Sequence, residues 1–327
     1  MSTLNTLGVI TDKYLPVYLD ALRIDSIVDF DLYIKIGHDL ILYRASNLPF
    51  TEKTRQTLLD NNVSTLYVPM SEREQYQSYI ESNINLILHD ETIAPETKSG
   101  IVYESTKLLV RDVLANPTLG ENIQRGKSIV ESSVGFILRE EDAFHNLLKV
   151  MSFDYYTYTH SVNVCTFSVA FARHLGYDDE EFLNNLGIGA LLHDVGKTKV
   201  SDRILNKRGR LSPLEMEIIK KHPQWGVDLM HETEMLDEDS FYPIIQHHER
   251  EDHSGYPHGV AGHDIHISGK IVGIADTFDA MTTRRVYQPA VETYPALKTM
   301  FACENAYDRD LLEKFATLMG PSDIVKI

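Results

Sequence analysis

The rhythm of apolar and polar positions changes once along this chain, near residue 95. Between Ile27 and Arg44 (IVDFDLYIKIGHDLILYR), apolar, aromatic and β-branched residues alternate around Gly37-His38-Asp39, which predicts a β-hairpin with a short turn. Thr51 to Asn61 predicts a helix, and Ser64 to Val68 (STLYV) a returning strand closed by Pro69. Ser71 with Glu74 has the spacing of a capping box opening a helix through EREQYQSYIESNINLIL. These elements make residues 1–95 a small α/β module. The polar stretch DETIAPETKSG (90–100), with its Pro and Gly, marks the boundary. Beyond it apolar residues recur at helical spacing from Ile101 to Ile137, broken near Asn116-Pro117, and from Glu141 helix follows helix. Residues 96–327 are therefore expected to be all-α, and the chain α+β overall. Neither an internal repeat nor a low-complexity tract is visible.

Bulk properties narrow the function. With 327 residues, 43% hydrophobic and 24% charged, the chain has the balance of a soluble globular protein with room for two domains. A net charge of -17 excludes broad binding to a nucleic-acid polymer, which needs excess Lys and Arg. It leaves open a small anionic substrate, because bound cations reverse the local field. The two cysteines, Cys165 and Cys303, without CxxC spacing, give little support for a disulfide framework or a thiolate zinc site. No secretory signal opens the chain, and no apolar run approaches the roughly 20 residues that span a bilayer. A cytoplasmic location and no membrane partner are the expectations.

The chemistry is concentrated. Eleven of the 14 histidines lie between His160 and His266, whereas His38 and His89 stand alone and are expected at the surface. His193-Asp194 ends an apolar run (GALLHDVGK), His247-His248-Glu249 ends another (YPIIQHHE), and Asp276 sits within GKIVGIADTFDAM. Taken singly, each has a plainer reading, as a hydrogen-bonded core histidine or a buried ion-pair partner. Together they offer nitrogen and oxygen donors without thiolate, which suit divalent iron, manganese or zinc. Two cations about 3.5–4 Å apart can activate a water and hold a phosphoryl group for in-line attack.

From Asp154 to Pro289 the chain resembles the HD-GYP branch of the HD phosphohydrolase superfamily. The resemblance rests on Asp154, HDVGK (His193–Lys197), KHPQWG (Lys221–Gly226), HHEREDHSGYP (His247–Pro257) and ADTFDAMTTRRVY (Ala275–Tyr287). It implies an all-α HD-GYP domain and a phosphodiesterase acting on cyclic di-GMP, giving a linear dinucleotide through a hydroxide held by two divalent metal ions, iron or manganese, with the second cleavage to GMP left open. It further implies that His160, His193 and Asp276 ligate one metal, that His222, His247 and His248 ligate the other, and that Asp194 bridges them. Lys197 would lie beside the scissile phosphate, stabilising its charge or protonating the leaving oxygen. Asp154 would orient Lys197 or the water, and Arg285 would reach a guanine or phosphate of the substrate. The roles of His160 and His222 rest almost wholly on this resemblance.

The chain departs from the family pattern in places that matter. Tyr156 stands four residues before His160, where some members carry a third-metal Glu, so two metals are expected. His253 replaces a common glycine of the signature loop and Glu251 a frequent aromatic, while Gln288-Pro289 stand where basic residues are frequent. A non-glycine at 253 makes a positive φ less comfortable. His253, His258, His263 and His266 are expected at the surface or in loop hydrogen bonds. Two other readings stay open: hydrolysis of another cyclic dinucleotide such as cyclic GMP-AMP, and a catalytically weak cyclic-dinucleotide sensor. The N-terminal module would regulate or dimerise. Helices between Ile101 and Glu140 could pair two chains as a homodimer, and diguanylate cyclases are the kind of signalling partner implied.

Overall fold

A computed structural model describes residues 13–140, 142–152, 157–207, 209–283, 290–303 and 305–320. The chain divides into two compact units, residues 1–105 and 106–327. In the first, strands β1 (Tyr14–Tyr18), β6 (Thr65–Pro69), β3 (Leu32–Ile36) and β4 (Asp39–Arg44) form one sheet in that order. The short strands β2 (Ser26–Ile27) and β5 (Pro49–Phe50) pair separately. Every pairing is antiparallel, so the mixed unit is built from hairpins and returning strands. The alternation of residues 32–44 gives the expected hairpin, with Gly37 at φ 63° supplying the left-handed residue its turn needs.

Helices α1 (Glu52–Asp60) and α2 (Arg73–His89) lie where the apolar spacing puts them, and the Thr51 hydroxyl caps α1 by accepting from Thr54 N. The capping box expected from Ser71 and Glu74 does not form. A 3-10 turn, Met70–Glu72, precedes α2 instead, leaving Glu72 as its N-cap, and the Glu72 carboxylate accepts from Asp31 N at 2.6 Å. That carboxylate is thus committed to a partner 41 residues away in sequence. His38 and His89 are exposed, as expected.

Helix α3 (Pro95–Ala115) begins inside the polar stretch 90–100, so the expected boundary at 95/96 coincides with a helix start and the division falls within α3. Among its described residues the second unit has helices as its regular elements: α4 (Gly120–Arg139), α5 (Ala143–Val150), α6 (Thr157–His174), α7 (Glu180–Leu192), α8 (Asp202–Leu205), α9 (Pro213–Ile219), α10 (His222–His231), α11 (Phe241–Gln246), α12 (Ile267–Thr282), α13 (Thr293–Ala302) and α14 (Arg309–Met319). The apolar face of α4, including Ile123, Ile129, Val130 and Val134, is buried, and α4 packs on α7.

Helices α6, α7 and α12 form the centre of the unit, and from Thr159 to Ala172 every residue of α6 is buried. A helix apolar on all sides belongs in a core. Phe167 and Phe171 of α6, Phe278 of α12 and Phe315 of α14 lock these helices together. Their ring centroids lie 5.4 Å apart for Phe167–Phe278, 5.0 Å for Phe171–Phe315 and 5.2 Å for Phe278–Phe315, in edge-to-face geometry. Among the described residues no helix is long and apolar enough to cross a membrane.

Candidate metal centre

Six of the seven predicted ligands stand at or near a helix end, and the seventh, Asp276, lies inside α12. His160 is in the first turn of α6, and His193 and Asp194 directly follow α7. His222 opens α10, His247 and His248 directly follow α11, and Asp276 lies in the buried face of α12. One glycine governs the approach. After Asp194 the chain makes a 3-10 turn, Val195–Lys199, which packs on α10 with Gly196 pressed against the His222 carbonyl and the Gly226 amide. There is no room for a Cβ at that contact, so the glycine of HDVGK is what admits His222 to the neighbourhood of Asp194.

The structure brings all seven predicted ligands together. Asp194 Oδ1 lies 3.3 Å from His222 Nε2 and 3.9 Å from His247 Nε2, while its Oδ2 lies 3.5 Å from His193 Nε2 and 3.7 Å from His160 Nε2. Asp276 Oδ1 is 3.1 Å from His160 Nε2 and 3.9 Å from His193 Nε2, and Asp276 Oδ2 is 3.7 Å from His248 Nδ1. Two groups have the spacing to hold a cation, Asp194 with His222, His247 and His248, and Asp194 with His160 and His193. Asp194 belongs to both.

The imidazoles are preset as ligands. Nδ1 of His193 donates to Ala190 O (2.7 Å), Nδ1 of His222 to Ile219 O (2.8 Å), and Nδ1 of His247 to Pro243 O and Ile244 O (3.0 Å each). Nδ1 of His160 faces Asp279 Oδ2 at 2.6 Å. Donation from Nδ1 leaves a lone pair on Nε2 whenever the ring is neutral. His222 Nε2 and His247 Nε2 then face each other at 3.2 Å, an arrangement of two acceptors that a cation resolves. His193 Nε2 and Asp194 Oδ1 are buried and have no hydrogen-bond partner among the described residues. Orphaned polar atoms of this kind are rare in a folded interior, and a cation among these donors would satisfy both. The cluster therefore fits divalent metal.

Electrostatics favour the ligating forms of most members. Burial pushes the His193, His247 and His248 imidazoles below their ordinary value, so they are held neutral. Burial alone would raise Asp194, but Lys197 and the surrounding imidazoles hold its carboxyl well below the usual carboxylate range. Asp276 is depressed in the same way, burial being outweighed by His160 and His248. His160 is the exception. Burial disfavours its charged form, yet Asp276 and Asp279 on its two sides raise it well above the ordinary histidine value.

Lys197 Nζ lies 2.6 Å from Asp194 Oδ2 and is the partly exposed member of that pair. Asp154, Tyr156, Arg285, Gln288 and Pro289 lie outside the described residues. His253 is exposed and adopts φ 63° despite its side chain, its Nδ1 donating to Gly259 O at 3.2 Å. His258 and His263 are exposed, and His266 caps α12 by accepting from Ser268 N and stacks on Tyr242 at 4.1 Å. Two buried carboxylates went unassigned in the sequence. Glu249 accepts from the amides of His258 (2.7 Å), Gly259 (3.2 Å) and Val260 (3.2 Å), pinning the signature loop. Asp279 stands behind His160; its signal was a second Asp three residues after Asp276, on the same helix face.

An all-α domain thus gathers five histidines and two aspartates, with Asp194 shared between two groups, a donor set suited to divalent metal. Known proteins agree. The HD domain family model matches residues 144–311, just over half of the chain, and the chain belongs to this HD domain family. Cyclic di-GMP phosphodiesterase PA4108 of Pseudomonas aeruginosa is 29% identical over 224 residues, 68% of this chain and 54% of that protein. The 3'3'-cGAMP-specific phosphodiesterase 2 of Vibrio cholerae is 43% identical over 98 residues, 30% of this chain and 19% of that protein. The chain thus spans about half the length of the first relative and about a fifth of the second. The solved structure of Bd1817, an HDG"Y"P protein from Bdellovibrio bacteriovorus, matches 94% of this chain and 100% of its own, with TM-score 0.65 and 25% identity. The HD-GYP resemblance drawn from the motifs is borne out.

Proposed function

We propose that this protein is a metal-dependent phosphodiesterase that hydrolyses cyclic di-GMP. The observation that carries the reading is Asp194: one buried carboxylate shared by two groups of imidazoles, with an orphaned oxygen and a lysine 2.6 Å away at the open side. In this reading His160, His193 and Asp276 would hold one divalent ion, His222, His247 and His248 would hold the other, and Asp194 would serve both. Iron or manganese suits these nitrogen and oxygen donors. When bound, the pair supplies activation of the attacking water and neutralisation of charge on the phosphoryl group. Lys197, already beside Asp194, is placed to stabilise developing phosphate charge or to protonate the leaving oxygen. By motif match, Asp154 orients Lys197 or the water and Arg285 grips a guanine or phosphate. Two metals accord with Tyr156 at the position a third would need, and with two metals the linear dinucleotide is cleaved slowly. A cytoplasmic location belongs to the same reading.

A test is turnover of cyclic di-GMP with Mn²⁺ or Fe²⁺ under reducing conditions, products separated over time, beside Asp194→Ala. Linear dinucleotide accumulating before GMP, absent in the variant, is the expected result. Binding without turnover in metal-replete protein would sink the catalytic reading and leave a sensor. The Vibrio relative makes 3'3'-cGAMP the comparison substrate; a clear preference for it would move the substrate assignment.

A further inference from the structure

Resting on the metal reading above, we infer that Asp279 is a positioning residue for the first cation, fixing the tautomer and orientation of His160 through a buried relay that begins at the Ser152 carbonyl. Asp279 is fully buried on α12, and its two oxygens have divided tasks. Oδ2 faces His160 Nδ1 at 2.6 Å. Oδ1 accepts from Asn163 Nδ2 at 2.8 Å and from Thr283 Oγ1 at 3.0 Å. Asn163 Nδ2 also donates to Ser152 O at 3.1 Å, so its amide cannot flip without losing that bond. The Asn163 donor thus holds Asp279 Oδ1, leaving Oδ2 as the acceptor that keeps the His160 proton on Nδ1. Nε2, which offers its lone pair once its own proton is lost, is thereby turned toward Asp194 and Asp276.

The logic depends on Asp279 being an acceptor on both sides. An Asn there has one acceptor and one donor at almost the same volume. If its NH₂ faces Asn163, donor meets donor. If it faces His160, the imidazole is driven to the Nε2–H tautomer and the lone pair the cation requires is lost. Ligating histidines are commonly oriented in this way, and removing such a partner weakens metal binding about 10–100-fold. His222 and His247 are oriented by backbone carbonyls instead and make no hydrogen bond to Asp279.

The experiment is Mn²⁺ titration with elemental analysis of wild type, Asp279→Asn, Asp279→Glu and Asn163→Ala, each followed by thermal unfolding of the metal-free protein. Wild type should bind two ions per chain. Asp279→Asn should keep one at wild-type affinity and bind the other about 10–100-fold more weakly, with its apo transition little changed. Asp279→Glu, which restores an acceptor, should recover part of the lost affinity. Asn163→Ala leaves the carboxylate in place and should weaken the same ion severalfold, so it carries the test if Asp279→Asn does not fold. Folded Asp279→Asn that binds both ions with wild-type affinity would overturn the proposal. So would equal weakening of both ions, which points to general loosening. Wild-type protein that binds no Mn²⁺ would overturn the metal reading itself, and this inference with it.

Discussion

Gly196→Ala tests the claim that one close contact assembles the centre. The added methyl meets the His222 carbonyl oxygen and the Gly226 amide nitrogen, both backbone atoms that cannot rotate away. Non-bonded heavy atoms rest at roughly 3.5–4.0 Å, so the 3-10 turn and α10 must part by on the order of an ångström. Overpacking of this kind costs about 1–3 kcal/mol. For a unit of this size each kcal/mol lowers Tm by about 2–4 °C, giving a fall of roughly 2–12 °C. The functional effect should be larger than the stability effect, because His222 Nε2 is only 3.3 Å from Asp194 Oδ1 and ligand geometry tolerates about 0.5 Å. Calorimetric unfolding of the apo protein and Mn²⁺ titration measure the two effects. Gly226→Ala is the control: its methyl meets chiefly the Ile244 Cγ2 at 2.9 Å, a side-chain tip that can move. Gly196→Ala with wild-type Tm and two wild-type ions, or a Gly226→Ala variant that loses metal more severely, would refute the reasoning.

His160 gives metal binding a pH dependence of known sign. Its raised pKa means the metal-free imidazole is protonated at neutral pH, and a cation at Nε2 must displace that proton. Affinity for the first ion should therefore climb with pH, about tenfold per unit for one proton, and level off above the raised value. Calorimetry in buffers of different ionisation enthalpy counts the protons; none released near pH 6.5 would refute the assignment. Phe278→Ala should cost about 3–5 kcal/mol, because the ring is fully buried against Phe167 and Phe315. It should also weaken metal binding more than Phe171→Ala, since Phe278 sits between Asp276 and Asp279 on α12. Denaturant unfolding and Mn²⁺ titration of both variants check this, and equal metal affinity in the two would show that the cluster supports the fold but not the site.

Much of this molecule was legible along the chain. The two-residue alternation of 32–44 and the helical spacing beyond Ile101 depend on neighbours a few residues away, and both appear in the fold. The donor types were equally visible, because carboxylates and imidazoles at the ends of apolar runs are costly to bury without a partner. Other features were decided elsewhere. Ser71 fell in a 3-10 turn rather than at the helix cap, and His253 took a positive φ within its own loop geometry. His222 was an ordinary residue before a proline until Gly196 let α10 reach Asp194. Asp279 acquired its task only because α6 and α12 pack so that His160 and Asn163, 119 and 116 residues away, arrive at its two oxygens. Local periodicity sets which elements form and which residues they carry. Distances across a site come from close packing between elements remote in sequence, where one missing methyl or one buried acceptor decides the approach.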